Sequence, residues 1–145
     1  MIYRILAINP GSTSTKIAVY DNEKQILVKS IDHKVEDLEK YDKVQEQFEM
    51  RKEKVLKALK ENNIKLDSLS AIVGRGGLLL PVKSGAYLVN DEMIDRLINK
   101  PVLEHASNLG AIISYEISKN LGINAYIYDS VSVDGVNWCG KIVWS

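Results

Sequence analysis

The segment Ile5-Leu6-Ala7-Ile8-Asn9-Pro10-Gly11-Ser12-Thr13-Ser14-Thr15-Lys16 is the best indicator of the architecture, because a short apolar run leads directly into a polar turn. Apolar residues then resume as Ile17-Ala18-Val19-Tyr20. A strand, a tight turn and a second strand predict a β-hairpin. The Rossmann and Walker phosphate motifs differ from this stretch in glycine spacing and lie between a strand and a helix. The turn is therefore neither of those nucleotide sites.

The turn nevertheless carries the groups that an anion needs. Gly11 lets the backbone come close to a ligand, the hydroxyls of Ser12 and Ser14 donate hydrogen bonds, and Lys16 supplies a point charge. The same residue types are also ordinary turn formers. Composition alone leaves both interpretations open, and phosphate is the ligand that the chemistry favours.

The totals describe a globular protein of about one domain. The 145 residues are enough to bury a core, and 46% are hydrophobic against 26% charged. Nineteen basic residues balance nineteen acidic ones, which argues against nucleic acid or an anionic membrane as a partner. Cys139 is the single cysteine, and His33 and His105 are far apart, so a disulfide or a histidine-rich metal centre is not expected. We expect a cytoplasmic protein.

Outward from the hairpin, strands and helices alternate. Gln25–Ile31 continues the hairpin into an antiparallel meander of three strands, and apolar residues at helical spacing then predict a helix ending near Glu61. The later elements are a strand at 69–73, a weak extended segment at 87–89, a helix from Asn90, a helix at about 107–121 closed by Gly122, and a strand at 123–128. This order predicts an α/β domain whose mixed sheet has an antiparallel start, later parallel strands and flanking helices.

Three further places gather functional residue types near the ends of predicted strands, where open α/β sheets bind ligands. Arg75 stands among glycines in Gly74-Arg75-Gly76-Gly77, and its planar fork suits a carboxylate or a phosphoryl group. Asp129 directly follows a predicted strand, and His105 precedes a predicted helix. Each also has a plain structural interpretation, as a surface arginine, a turn aspartate and a helix entry.

Taken in order, these motifs resemble those of the acetate and butyrate kinases, which belong to the acetate/sugar kinase, heat-shock-70 and actin superfamily. The residues that carry the resemblance are Asn9 to Lys16, Gly74-Arg75-Gly76-Gly77-Leu78-Leu79 and Glu104-His105-Ala106-Ser107-Asn108-Leu109-Gly110. The match runs from about Tyr3 to Asp129. It implies a ribonuclease-H-like lobe and the reversible, ATP-dependent phosphorylation of a short-chain carboxylate with Mg²⁺.

The resemblance also implies a role for each motif residue. Asn9, Gly11, Ser12, Ser14 and Lys16 would line the site for the phosphates of ATP. Arg75 would hold the carboxylate or the phosphoryl group, His105 would steady the transferring group, and Asp129 would align the carboxylate. Asn9 and Asp129 would hold the metal through water. The implied partners are a short-chain fatty acid or acyl phosphate and, for the parent enzyme, further copies of itself.

Gly76 and Gly77 would line the substrate pocket. Acetate kinases carry a valine at the position of Gly77, two residues after the arginine. A smaller residue there leaves room for a longer acyl chain. The sequence therefore predicts butyrate or a branched analogue rather than acetate as the substrate.

Residues 135–145 differ from the rest, because they hold both tryptophans and the only cysteine and carry no acidic residue. We expect residues 1–134 to form the N-terminal lobe of a carboxylate kinase and residues 135–145 to be an atypical tail left by truncation or a frameshift. Such a chain should lack ATP affinity, because half of the cleft would be missing, and the alternative is a non-catalytic anion-binding or dimerising fragment. A metal-dependent nuclease of related fold is disfavoured, because Asn9 stands where that chemistry needs a carboxylate.

Overall fold

A six-stranded mixed sheet organises the computed structural model, which describes residues 2–75, 86–99 and 108–128. The strand order is β3-β2-β1-β4-β6-β5. The strands are β1 (Arg4–Pro10), β2 (Ser14–Asp21), β3 (Lys24–Asp32), β4 (Ala71–Arg75), β5 (Ala86–Leu88) and β6 (Asn124–Tyr128).

The sheet divides into an antiparallel half and a parallel half. Strands β1, β2 and β3 form the predicted meander, with Pro10 opposite Thr15 at the first turn. Strand β4 runs parallel to β1, β6 runs parallel to β4, and the short edge strand β5 is antiparallel to β6. The α/β class and the mixed sheet of a ribonuclease-H-like lobe are confirmed. The carboxyl ends of β1, β4 and β6 consequently meet at one edge of the sheet.

Four α-helices accompany the sheet in the described part of the chain, namely α1 (Val35–Leu38), α2 (Phe48–Glu61), α3 (Asp91–Asn99) and α4 (Asn108–Leu121). The predicted helix before Glu61 begins later than its apolar spacing suggested, because residues 44–47 form a 3₁₀ turn. The carboxylate of Glu46 accepts hydrogen bonds from the backbone amides of Asp42 and Lys43, which tightens the chain there. A second 3₁₀ turn covers Leu66–Ser68.

The predicted helix ends are confirmed by their geometry. The side chain of Asn90 accepts a hydrogen bond from the amide of Met93 over 2.9 Å, so it caps the start of α3. Gly122 follows α4 with φ at +71°, the left-handed conformation that ends many helices. Among the described residues, no helix is long and apolar enough to cross a membrane.

The two faces of the sheet bury different clusters. Leu6 and Ile8 of β1 pack with α2 and α4, whereas Ile5 and Ala7 belong to a second cluster on the opposite face. Side chains of a strand alternate between faces, so this division also fixes which way each later residue of the strand points. We call these the helix face and the opposite face. The same alternation fixes the face on which the side chains at the strand ends lie, including those of the predicted site.

Candidate active site

The polar turn of the sequence is a three-residue connection, Gly11–Thr13, between β1 and β2. The amide of Gly11 donates to the carbonyl oxygen of Ser14 over 2.7 Å and closes the turn. Ser12 and Thr13 are exposed, whereas Gly11 and Ser14 are half-buried. The turn thus presents a polar surface at the carboxyl end of β1, as the sequence predicted.

Three of the predicted site residues share one row across the sheet. Lys16 of β2 is the cross-strand partner of Asn9 in β1. Gly74 of β4 pairs with Ile8, so Arg75 lies level with Asn9. By alternation with Ala7, Ala18 and Val73, all three side chains lie on the opposite face. Lys16 and Arg75 are two strands apart, a separation of about 10 Å at the usual strand spacing.

Both cations of this row are available to a ligand. Neither Lys16 nor Arg75 takes part in an ion pair within the ranges that the structure describes. Lys16 is exposed and Arg75 is half-buried at the last position of β4. Two positive groups flanking an amide side chain suit a ligand with spread negative charge, such as a phosphorylated molecule.

Arg75 is the last residue of strand β4, so its backbone is held by the sheet. Gly74 precedes it in β4 on the helix face, where a Cβ atom would lie 2.3 Å from the carbonyl oxygen of Gly110 and 2.8 Å from Oγ of Ser114. Glycine is needed at position 74 because α4 packs against the strand there, and this contact fixes the backbone of Arg75.

Helix α4 points its first turn at the same edge of the sheet. Gly110, the third residue of the helix, is so close that an added Cβ would lie 2.5 Å from the carbonyl oxygen of Arg75 and 3.3 Å from Cδ of Pro10. The positive end of a 14-residue helix dipole is therefore held beside the ends of β1 and β4. This adds to the positive potential made by the two cations.

Beneath the turn lies Arg51 of α2, which is fully buried. Its Nη1 donates to the carbonyl oxygens of Gly11 over 2.7 Å and Ser14 over 3.1 Å, and its Nη2 donates to that of Ser12 over 3.2 Å. Nε and Nη2 also donate to Oε1 of Gln47, over 3.1 and 2.9 Å. One guanidinium thus holds three carbonyl groups of the turn region. Burial lowers the pKa of Arg51 to about 10, so the side chain stays charged at neutral pH.

His33 completes the support of the turn. Its backbone amide donates to the carbonyl oxygen of Thr13 over 2.8 Å, and its Nε2 lies 2.8 Å from Oγ1 of the buried Thr15. That hydroxyl already accepts from Arg51 over 3.2 Å, so its own proton is free for Nε2. Burial, and then the charges of Arg51 and Lys54, lower the pKa of His33 to about 4. The imidazole is consequently neutral at neutral pH.

Sequence reasoning missed Arg51, Gln47 and His33, although a signal for two of them exists. Gln47, Arg51 and Val55 are four residues apart, so a single helical stripe runs from the turn contacts into the apolar core. Charged residues inside an apolar stripe are rare unless they have polar partners. Nothing in the sequence around His33 indicates its burial, because charged and polar residues surround it.

Four predicted site residues, His105, Asp129, Gly76 and Gly77, lie outside the described residues. Strand β6 ends at Tyr128, which pairs with Arg75, and Asp129 is the next residue in the sequence. Within the described ranges, no group of three His, Cys, Asp or Glu side chains could hold a metal ion. Of the two predicted metal contacts, Asn9 and Asp129, the structure describes Asn9, whose half-buried side chain lies in the row.

Comparison with curated proteins extends the motif resemblance to nearly the whole chain. The chain is 51% identical over 141 residues to butyrate kinase 1 of Clostridium acetobutylicum, which covers 97% of this chain and 40% of that protein. It is 50% identical over 134 residues to butyrate kinase 2 of the same organism, over 92% of this chain and 38% of that protein. The chain is a relative of the butyrate kinases. It spans about two fifths of the length of these two relatives.

Comparison with solved structures agrees on the fold. The crystal structure of acetate kinase from Entamoeba histolytica superposes with a TM-score of 0.55 over 86% of this chain and 34% of that one, at 15% identity. At that identity the likeness shows the fold alone. No protein-family model matches the chain. The resemblance to butyrate kinases inferred from three short motifs is thus confirmed by similarity along the chain.

Proposed function

We propose that this chain provides the phosphate-binding part of an ATP-dependent butyrate kinase, which phosphorylates butyrate or a branched analogue reversibly to the acyl phosphate. The observation that carries the proposal is the row of Lys16, Asn9 and Arg75 beside the turn Gly11–Thr13. Its donors and cations suit a phosphoryl group. The relationship to butyrate kinases supplies the substrate class.

The proposed reaction needs positioning and charge neutralisation more than covalent chemistry, and the row offers cations and hydrogen-bond donors for both. A carboxylate is already ionised at neutral pH, so it attacks phosphorus without a strong general base. What phosphoryl transfer requires is in-line positioning and neutralisation of the oxygens that carry the charge. Arg75 would hold the carboxylate or the phosphoryl group, and Lys16 with the hydroxyls of Ser12 and Ser14 would bind the phosphates of ATP.

The remaining roles follow the predicted motifs and are part of the proposal. His105 would steady the transferring group, and Gly76 and Gly77 would shape the acyl pocket. Asp129 would align the attacking carboxylate and, with Asn9, hold Mg²⁺ through water. The amide oxygen of Asn9 and a carboxylate are hard oxygen donors of the kind that Mg²⁺ accepts through its waters. When bound, Mg²⁺ would neutralise phosphate charge. A kinase of this kind would take ATP as its phosphoryl donor.

A second candidate is a non-catalytic anion-binding or dimerising fragment. This candidate needs only the exposed residues of the turn and the cations of the row, which suit anion binding without a reaction. Residues 135–145 as an atypical tail, a boundary at residue 134, a homo-oligomeric parent and a cytoplasmic location stay predictions. Both candidates use the same turn for the anion, so they differ in chemistry and not in the site.

The two candidates are separated by incubating the purified chain with ATP, Mg²⁺ and butyrate and trapping the acyl phosphate with hydroxylamine. A kinase yields butyryl hydroxamate in proportion to enzyme concentration, and Arg75→Gln reduces the yield. A binding fragment yields none at any concentration, yet it still binds phosphate at the turn. Absence of both hydroxamate and phosphate binding would reject both candidates.

A further inference from the structure

Arg51 and His33 hold the backbone of the polar turn from its buried side. The carbonyl oxygens of Gly11 and Ser12 both accept hydrogen bonds from the buried guanidinium of Arg51, and that of Thr13 accepts from the amide of His33. In a trans peptide the N–H of one residue points opposite to the C=O of the residue before it. Holding the carbonyls of Gly11 and Ser12 inward therefore turns the amides of Ser12 and Thr13 outward.

These two amides are available to a ligand. Neither the N–H of Ser12 nor that of Thr13 donates to a partner in the part of the chain that the structure describes, and both residues are exposed. Adjacent outward amides of this kind form an anion-binding concavity. They lie in the same turn as the hydroxyl of Ser12, and Lys16 follows in β2, three residues after Thr13.

Among the residues that the structure describes, no carboxylate balances the charge of Arg51. None of the ion pairs among the described residues includes Arg51, and its partners are carbonyl oxygens, the hydroxyl of Thr15 and the amide oxygen of Gln47. A buried charge is normally paired, because neutral dipoles replace only part of the hydration that burial removes. The turn that Arg51 contacts is exposed at Ser12 and Thr13, and an anion bound there would supply the missing charge.

We propose that Arg51 is the positioning residue of this site: it holds the carbonyls of the turn inward so that its amides meet a phosphate group, and that phosphate balances its buried charge. The proposal rests on the proposed function insofar as the phosphate belongs to ATP or to an acyl phosphate. Arg51, which lies 40 positions after Gly11 in the sequence, thereby becomes part of the site.

The decisive variant is Gln47→Glu, which leaves Arg51 in place. Glutamate has nearly the shape of glutamine and keeps an oxygen for both hydrogen bonds from Arg51, but it adds a carboxylate against the guanidinium. We expect the variant to be at least as stable as the unmodified chain and to bind inorganic phosphate about tenfold more weakly, because the cation is already balanced. A merely structural Arg51 would gain stability without losing phosphate affinity.

The matched control is Gln25→Glu. Gln25 is exposed on β3, and its side chain contacts the hydroxyl of Tyr20 over 3.2 Å at the end of the β2–β3 pair that lies away from the turn Gly11–Thr13. It adds the same charge to the same sheet, and we expect its phosphate affinity to stay within about twofold of the unmodified chain, because exposed charges at that distance are screened. Equal affinities for Gln47→Glu and Gln25→Glu would overturn the proposal.

The measurement is a titration of the full chain with inorganic phosphate, followed by the amide resonances of the turn. The largest shifts should be at Ser12 and Thr13, and this readout needs no variant. Shifts confined to other residues, or no binding at all, would overturn the proposal. Titrations with ATP and with butyryl phosphate distinguish the two sources of the phosphate group. The ligand is the compound whose affinity falls in Gln47→Glu. An unchanged affinity for both compounds would overturn the proposal.

Failure of this inference and failure of the proposed function give different results. Phosphate binding at Ser12 and Thr13 that weakens in Gln47→Glu supports the role of Arg51 even if the chain forms no butyryl phosphate. Formation of butyryl phosphate with unchanged phosphate affinity in Gln47→Glu overturns the role of Arg51 and leaves the kinase proposal standing.

Discussion

Gly74 and Gly110 approach so closely that a Cβ atom on Gly74 would lie 2.3 Å from the carbonyl oxygen of Gly110. The contact joins the end of β4 to the first turn of α4 and carries Arg75, the next residue, to its place in the row. Both glycines lie in motifs that resemble those of carboxylate kinases, and the described structure gives them a packing role.

Gly74→Ala should therefore destabilise the fold. The new methyl group would meet backbone atoms of Gly110, which cannot move without shifting α4, so we expect a loss of about 3 kcal/mol in the free energy of unfolding. Urea titration followed by circular dichroism measures it. Gly11→Ala is the control, because a Cβ there would meet its nearest atom at an ordinary 3.5 Å. A loss in Gly74→Ala no larger than in the control would contradict the close packing.

Gly11→Ala should weaken phosphate binding while leaving the free energy of unfolding nearly unchanged. The turn has room for the methyl group, so the free energy of unfolding should stay within about 1 kcal/mol of the unmodified value. The same methyl group would keep a ligand from lying against the turn. If the ligand thereby loses one hydrogen bond with the turn, phosphate binding weakens about tenfold. Calorimetric titration with phosphate checks this, and unchanged affinity would show that the ligand does not approach Gly11.

The stability of the chain should fall as the pH decreases from about 6.5 towards 4 because of His33. Its pKa in the folded state is about 4, below the ordinary value of 6.5, so in this range the unfolded chain binds a proton that the folded chain does not. The slope from one such group is at most ~1.4 kcal/mol per pH unit. Urea titrations of the unmodified chain and of His33→Gln between pH 6.5 and 5 test it. Identical slopes in the two proteins would refute the assignment to His33.

Arg75→Gln should reduce the rate of acyl phosphate formation in a protein that shows the activity. Removing a cation that stabilises the transferring phosphoryl group costs about 100-fold or more in kcat. Arg96→Gln is the control, since Arg96 lies on α3 and pairs with Glu92 at 3.8 Å, outside the row. The hydroxamate assay measures both variants. Equal activities would remove Arg75 from the proposed reaction.

Gly77→Val should shift the substrate preference towards acetate. The added side chain would fill space beside the carboxylate anchor that a longer acyl chain needs, and one or two methylene groups in a pocket change kcat/KM by about 10- to 200-fold. The ratio of kcat/KM for butyrate to that for acetate, measured on the complete enzyme, gives the result. An unchanged ratio would show that Gly77 does not select the acid.

Local sequence patterns predicted most of the fold. Two short apolar runs around a polar turn predicted the hairpin, Asn90 and Gly122 predicted two helix ends, and the order of elements predicted the mixed sheet. The predicted start of α2 was less accurate. The side chain of Glu46 accepts hydrogen bonds from two backbone amides, and a 3₁₀ turn stands where the first helical turn was expected. Such a competition between side chain and backbone is decided by geometry that apolar spacing does not record.

The residue types of the candidate site could be predicted from the sequence: a turn with Gly11 and Ser12, and the cations Lys16 and Arg75 near strand ends. Strand register and helix packing, in contrast, set which of these residues share a row and which side chain holds the buried side of the turn. The register of three strands brings Lys16, Asn9 and Arg75 together. Arg51 reaches the turn across 40 residues, because packing of α2 on the sheet buries its charge beneath the carbonyls, and contacts at that separation leave no periodic trace in a sequence.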